Sequence, residues 1–268
     1  MIEIKNLSKS YILKGKKVKV FENFNFRIET GESIAILGRN GAGKSTLLRI
    51  LGGIDVPDSG SVISDCSISW PVGLVGGFQG SLSARENVTF VSKIYTNGDE
   101  SLLQSKIKKV EDFAEIGDYF DRPFKTYSNG MRSRVTFGLS MAFDFDVYLI
   151  DEVTSAGDER FRAKSKKYLF EKHSKSDFIM VDHSFLGLRV HCNRAFIIHE
   201  GQLIESFDVD EAIQIHKELM QVNNLNNQEF NNDFQKYCND LENKRLKRIN
   251  QKKIFFENLQ RIKTKNQI

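Results

Sequence analysis

Short runs of alternating hydrophobic and polar residues open the chain, and longer runs with helical spacing follow. Ile2 to Leu7 and Phe24 to Ile28 alternate with period two and predict strands. Gly31 breaks the chain, and Ser33 to Leu37 reads as a buried strand followed by a glycine-rich turn and a helix over about Lys44 to Leu51. Gly52-Gly53 and Pro57 to Gly60 mark turns around a short strand, Ser61 to Ile63. The section from about Ser81 to Phe143 reads as helical. Ser83 and Glu86 have capping-box spacing with a helix running on to Tyr95, Glu100 to Phe113 is a second helix, and Gly130 to Phe143 is a third. Buried strands return at Val147 to Ile150 and Phe178 to Val181, and Ala195 to His199 with Gln202 to Ser206 form a hairpin about Glu200-Gly201. Strands alternating with helices predict an α/β fold with a mainly parallel sheet, an antiparallel β edge and a helical subdomain over about residues 79–145.

The pattern changes after Met220. Residues 223–232 are polar and Asn-rich, a linker, and residues from Phe230 onward predict a helical extension. Phe230, Phe234, Tyr237 and Leu241 fall at heptad spacing, and Phe255, Leu259 and Ile262 resume it. This extension is either a solvated tail, a helix that braces a partner or a second copy, or a helix lying on a membrane surface. The expected division is a domain over 1–222 and a tail over 223–268.

Composition narrows the classes. The 268 residues suit one or two domains, and 40% hydrophobic with 28% charged residues is ordinary for a globular protein. No leader pattern opens the chain, and no apolar run approaches the ~20 residues a membrane span needs. The expected location is therefore cytoplasmic, with membrane association through a partner. Cys66, Cys192 and Cys238 are widely spaced and fit a reducing compartment, while His191, Cys192 and His199 are badly spaced for zinc. The net charge of +4 resides in the tail, where ten Lys/Arg face five Asp/Glu from Gln221 to Ile268. A near-neutral body weakens any inference of nucleic-acid binding from overall charge.

Candidate chemistry centres on Gly38-Arg39-Asn40-Gly41-Ala42-Gly43-Lys44-Ser45-Thr46, a match to the phosphate-binding pattern G-x-x-x-x-G-K-[ST] between a strand and a helix. A triphosphate crowds negative charges together. Gly38, Gly41 and Gly43 let backbone N–H groups turn toward them, with Asn40 in the same loop, and the following helix adds the positive end of its dipole. Lys44 is placed to reach the β- and γ-phosphates, Ser45 to ligate Mg²⁺, and Thr46 to continue the loop into the helix. Asp151 and Glu152 end a buried strand. In P-loop proteins an Asp there holds Mg²⁺, and an adjacent Glu can polarise an attacking water. ATP and Mg²⁺ are the expected cofactors.

The full set of motifs resembles an ABC-type nucleotide-binding domain of the P-loop NTPase class over about residues 1–215. The resemblance makes Tyr11 the aromatic that stacks on adenine. It makes Gln79 the glutamine that senses Mg²⁺ and couples to a membrane partner. Ser128-Asn129-Gly130-Met131, after Tyr127, stands for the signature that closes over a second subunit's ATP. It departs from the usual Leu-Ser-Gly-Gly-Gln but keeps Ser128 and Gly130. Ser155-Ala156-Gly157-Asp158 stands for the loop that crosses the dimer interface, and His183 for the histidine that contacts the γ-phosphate.

Tyr127 to Arg132, Phe137 to Phe143, Ser67 to Gly73 running on to Leu82, and Leu149 to Val153 with Gly157, Asp158, Arg160 and Phe161 resemble the ATPases of bacterial polysaccharide exporters, nearest the capsular group. Relatives that export O-antigen or teichoic acid, which stay open as alternatives, often carry a C-terminal β-domain, whereas the 46 residues after 222 read as helical. The resemblance implies a homodimer, an integral membrane permease that itself carries the polysaccharide, and no nucleic-acid partner. It implies catalytic roles for Lys44, Gln79, Glu152 and His183 and Mg²⁺ ligation by Ser45, Gln79 and Asp151. A soluble ABC protein acting on ribosomes or DNA would fuse two nucleotide domains or carry a long coiled-coil insert, and this chain has neither.

Overall fold

The computed structural model describes residues 1–73, 77–151, 158–182 and 184–222, with 221 and 222 by backbone alone. Glu152, the segment Ser155 to Gly157, His183 and the expected tail over 223–268 lie outside the described residues. The strands are β1 (Ile2–Leu13), β2 (Lys16–Ile28), β3 (Ile34–Gly38), β4 (Ser59–Ser64), β5 (Val147–Asp151), β6 (Asp177–Val181), β7 (Arg194–His199) and β8 (Gln202–Ser206). The helices are α1 (Lys44–Leu51), α2 (Ala84–Tyr95), α3 (Glu100–Ala114), α4 (Asn129–Ala142), α5 (Glu159–His173), α6 (Phe185–His191) and α7 (Val209–Val222), with two short 3-10 segments between α3 and α4.

Two sheets organise the chain. One is antiparallel in the order β2-β1-β4. The other has the order β5-β6-β3-β7-β8, parallel except for β8, which is antiparallel to β7. The first two strands are far longer than the alternation predicts. Register shifts fall between Ile4 and Leu7, Leu7 and Lys9, and Lys9 and Ser10. Each shift moves the period-two pattern by one residue, so the pattern fails although the strand continues. Lys14 and Gly15, at φ 49° and 76°, close the hairpin with the doubly left-handed turn that matches strand twist.

Alternation within the parallel strands assigns their side chains to two cores. Ile34, Ile36, Leu149, Val147, Ile179, Val181, Phe196 and Ile198 join α1 and the antiparallel sheet on one side. Ala35, Leu37, Tyr148, Ile150, Phe178, Met180, Ala195 and Ile197 join the helices on the other. That second cluster runs without interruption into Val88, Val110, Phe113, Phe120 and Phe137 of the helical region. The region predicted as a subdomain therefore shares one apolar core with a sheet face.

Helix starts follow local chemistry. Ser83 and Glu86 form the expected reciprocal capping box, and Asp99, Ser128, Asp158 and Ser184 cap α3, α4, α5 and α6. Residues 67–72 run alongside β5, with Val147 N–H donating to Ser67 O (3.0 Å) and Val72 N–H to Leu149 O (2.7 Å). This segment delivers the chain from α1's side of the molecule to Gln79 and α2. Trp70 anchors it by donating from Nε1 to Ser140 Oγ (2.9 Å) amid Tyr95, Phe143 and Phe145.

Phe137 joins the helical region to α5. It is 1% exposed, stacks on Phe113 with centroids 5.2 Å apart and meets Phe161 edge-on at 5.9 Å. Phe137→Ala is expected to cost about 3–5 kcal/mol and to lower the thermal midpoint by on the order of 10 °C in a calorimetric scan.

Candidate functional site

The parallel strands bring Gly38, Asp151 and Asp182 to one edge. β3 ends at Gly38 and β5 at Asp151, and β6, which runs into Asp182, lies between them. Asp151 is level with Val181 and Gly38 with Ile198. Side chains and loops that leave the C-terminal ends of such strands surround a common crevice.

The loop after β3 is shaped for an anion. Gly43 has φ 100°, and a Cβ there would lie 2.4 Å from Val20 Cγ1. A Cβ on Gly38, at φ 150°, would lie 2.5 Å from the carbonyl oxygen of Ile198. Only glycine adopts these angles and approaches without displacing the neighbouring strand. Gly43 is also the N-cap of α1, has no side chain to accept from the first turn, and no acidic residue stands in that turn. The start of α1 thus has no N-cap side chain over it and carries the positive end of the helix dipole. The Lys44 ammonium folds back, donating to the carbonyls of Gly38 (2.8 Å) and Arg39 (3.0 Å), which holds it beside the loop. Asn40, Gly41 and Ser45 are exposed and Thr46 is half-buried. These residues fit a phosphate chain, and the hard oxygens of Ser45 and Asp151 are of the kind that suits Mg²⁺.

Tyr11 lies on β1 opposite Val18 of β2, so both project from the same side of the hairpin. Val20 and Phe21 of the same strand pack over Gly43, across the register shift that falls between Lys9 and Ser10. The hairpin that bears Tyr11 therefore packs against the phosphate-shaped loop through β2.

Gln79 is exposed, but its backbone is fastened by a residue the motifs do not single out. Asn87, 2% exposed, accepts from the Gln79 N–H (2.7 Å) and donates to the carbonyls of Gln79 (3.0 Å) and Ser83 (2.8 Å). The one available signal is its residue type, since Asn in the opening turns of a helix competes for backbone groups.

Ser128 and Gly130 stand at the start of α4. The Ser128 hydroxyl accepts from Met131 N–H (3.2 Å), and a Cβ on Gly130 would meet only Ser128 Oγ at 4.0 Å, so this helix end is open. α4 packs on α3 and α5, whereas α1 packs on β3, β5 and β6. Asp158 caps α5 through Phe161 N–H (2.8 Å) and accepts from Arg134 of α4 (2.7 Å). The Phe161 N–H first, then Arg134, hold its carboxyl below the usual range. Its carboxylate thus ties the signature helix to α5.

A small cavity of about 60 Å³ adjoins the loop, with Gly38, Lys44, Asp182, Phe185 and His216 in its wall. Burial first, then the Lys44 ammonium, push the His216 imidazole below its usual range. His216 sits in α7 with no motif around it, and the packing of α7 on β3, β7, β8 and α6 brings it here.

Comparison with known proteins agrees with this geometry. Residues 21–155 match the ABC transporter family model. The chain is 53% identical over 218 residues to the polysialic acid transport ATP-binding protein KpsT of Escherichia coli, covering 81% of this chain and 96% of the relative. It is 41% identical over 219 residues to the capsule polysaccharide export ATP-binding protein CtrD of Neisseria meningitidis serogroup B, covering 82% and 100%. Among solved structures, the dimeric post-hydrolysis state of the ATP-binding cassette MJ0796 bound to ADP and Pi superposes with a TM-score of 0.63 at 23% identity, covering 76% of this chain and 98% of that one. A glycine cradle at the end of β3, an Asp at the end of β5 and similarity over almost the whole length of these relatives establish that the chain belongs to the ABC transporter family.

Proposed function

We propose that the chain is the ATP-hydrolysing subunit of an exporter of capsular or related cell-surface polysaccharide, working at the cytoplasmic face of the inner membrane. The observation that carries this reading is the similarity to relatives named for polysialic acid transport and capsule polysaccharide export. Among the described residues no helix is long and apolar enough to cross a membrane. The glycan therefore passes through an integral membrane permease, against which this chain docks as residues 1–222, with 223–268 as an appended tail. Exposed Phe90 and Ile94, one turn apart on α2 and each 62% exposed, suit the groove that receives the permease.

One copy holds one phosphate loop and one signature, and α1 and α4 pack on different elements. Two copies facing each other pair each loop with the partner's α4 start, so the working unit is a homodimer with two ATPs between the faces. Lys44 and the N–H groups of the loop bind the β- and γ-phosphates, while Ser128 Oγ and the Gly130 N–H of the second copy close over the γ-phosphate. Tyr11 stacks on the adenine. Ser45, Asp151 and Gln79 would hold Mg²⁺, which would neutralise phosphate charge when bound. Glu152, which follows Asp151 in the sequence, orients the attacking water and accepts its proton. His183 and Gln79 complete the γ-phosphate site, and Asp158 braces the loop that reaches the second copy. ATP stabilises the closed dimer and its loss reopens it, which is the differential affinity that drives a cycle.

Cells lacking the gene are expected to retain polysaccharide inside and to lose it from the surface, and wild type but not Glu152→Gln restores export. Unchanged surface polysaccharide would remove the substrate assignment. Lys44→Ala is expected to weaken ATP binding about tenfold or more in calorimetric titration, since a charge-assisted contact is lost. Asn87→Ala leaves the Gln79 backbone without its partner and is expected to cost about 2 kcal/mol in urea unfolding. It lowers permease-stimulated ATP turnover while nucleotide affinity stays near wild type, and an equal loss of affinity would count against Asn87 acting through Gln79.

A further inference from the structure

Lys9, Tyr11 and Asp55 form a closed polar cluster where the antiparallel hairpin meets the far end of α1. Asp55 Oδ2 accepts from the Tyr11 hydroxyl at 2.6 Å, and Oδ1 accepts from Lys9 Nζ at 2.8 Å and from Val56 N–H at 2.9 Å. Lys9 Nζ also donates to the Val56 carbonyl at 2.6 Å and lies 5.0 Å from the centre of the Tyr11 ring. The Lys9 and Asp55 side chains are only 11% and 16% exposed. Lys9 first, then Tyr11, hold the Asp55 carboxyl below the usual range. The carboxylate is charged, shielded and fully committed, so it is a firm anchor for the phenol.

The backbone of Asp55 is itself fixed to α1. Its N–H and that of Ile54 donate to the Arg49 carbonyl at 3.2 and 2.9 Å, at the C-terminal end of the helix. The other end of α1 is the phosphate-shaped loop. One eight-residue helix, about 12 Å long, thus carries a phosphate cradle at its start and the anchor of an aromatic ring just past its end. A tyrosine on a hairpin next to a two-residue turn would otherwise sample several side-chain orientations.

We propose that Asp55 is a positioning residue for base recognition. It sets the Tyr11 ring at a fixed height and angle relative to the phosphate loop, so that the platform for the purine and the cradle for its phosphates keep one spacing. The proposal rests on Tyr11 being the residue that stacks on adenine. Asp55 touches no part of the nucleotide and acts only through the tyrosine hydroxyl. Its contribution is preorganisation, because a ring already held need not be immobilised when the nucleotide binds.

The test compares binding of ATP and of inorganic tripolyphosphate to the full chain by calorimetry, in wild type, Asp55→Asn, Tyr11→Phe, Tyr11→Ala and the double variant Asp55→Asn/Tyr11→Phe. The tripolyphosphate reports on the loop alone. Asp55→Asn and Tyr11→Phe are each expected to weaken ATP about three- to tenfold with tripolyphosphate affinity unchanged. The double variant is expected to be no weaker than either single one, since both remove the same hydrogen bond. Tyr11→Ala is expected to lose more, on the order of tenfold or beyond, because stacking itself is gone. Tyr11→Phe preserves the ring and the fold, so it reads the hydroxyl even if Asp55→Asn disturbs the loop after α1. Normal ATP affinity in Tyr11→Phe and Asp55→Asn with a loss in Tyr11→Ala overturns the positioning role and leaves Tyr11 as the platform. Equal loss of both ligands in Asp55→Asn and Tyr11→Phe overturns it in favour of a purely structural contact. An unchanged ratio of the two affinities in Tyr11→Ala removes the stacking role and the proposal together.

Discussion

A polyanion is held at the tip of β3 only if the helix start there brings no capping side chain of its own and the chain can come close enough to present its N–H groups. Both conditions meet at Gly43. Its left-handed backbone starts α1, it brings no capping side chain, and the space a Cβ would need is filled by Val20. A helix start without a capping side chain would be a cost anywhere else in the fold. Here it defines the polarity of the site, and the surrounding elements keep that helix end where it is. Leu47, Leu48, Ile50 and Leu51 of α1 are buried in the core shared with the antiparallel sheet, so the cradle rides on a rigid element.

The two cores divide the mechanical work. The core around α1 joins the loop to the hairpin that carries Tyr11 and, past the helix, to Asp55. The other joins the opposite sheet face to the helical region, so that α2 and α4 are packed into the same apolar cluster as β5 and β6. Polar links sit where those elements must keep register. Asn87 holds the Gln79 backbone to α2, and Asp158 with Arg134 holds α5 to α4. In the proposed cycle, a push on α2 or a pull on α4 would reach the strand edge through packed side chains, because interiors of this density transmit displacement.

The described elements show where reading from sequence succeeds. β3, β5 and β6 are short, uninterrupted apolar runs bounded by turns, α1 follows from the glycine loop before it, α2 from its capping box, and α3 and α4 from helical spacing, so each was legible locally. The long β1–β2 hairpin was not, because bulges at Asn6 and around Leu7 to Ser10 shift the alternation that signals a strand. α5 gives no clear local signal, because only Phe161, Ser165 and Leu169 of its fifteen residues are buried and Tyr168 and Phe170 are exposed among its charged residues. The phosphate loop, Asp151 and the signature were legible as motifs. Asp55, Arg134 and His216 were not, since nothing in their local sequence announces a partner far along the chain, and Asn87, whose partners lie four and eight residues away, showed only through its residue type.

What the sequence alone determined is therefore the chemistry that depends on neighbours in the chain: the glycine loop, the helix that follows it, the capped start of α4, and the acid ending a buried strand. These are set by backbone angles and by hydrogen bonds spanning a few residues. Tertiary structure alone decided which strand lies between Gly38 and Asp151, which strand of the hairpin packs over Gly43, and which carboxylate meets the Tyr11 hydroxyl. Such pairings bring together residues as distant as Tyr11 and Asp55, and they follow from how two apolar cores close over a sheet. Burial of that kind is non-directional, so the pattern of a sequence announces that residues will be inside without saying which of them will meet.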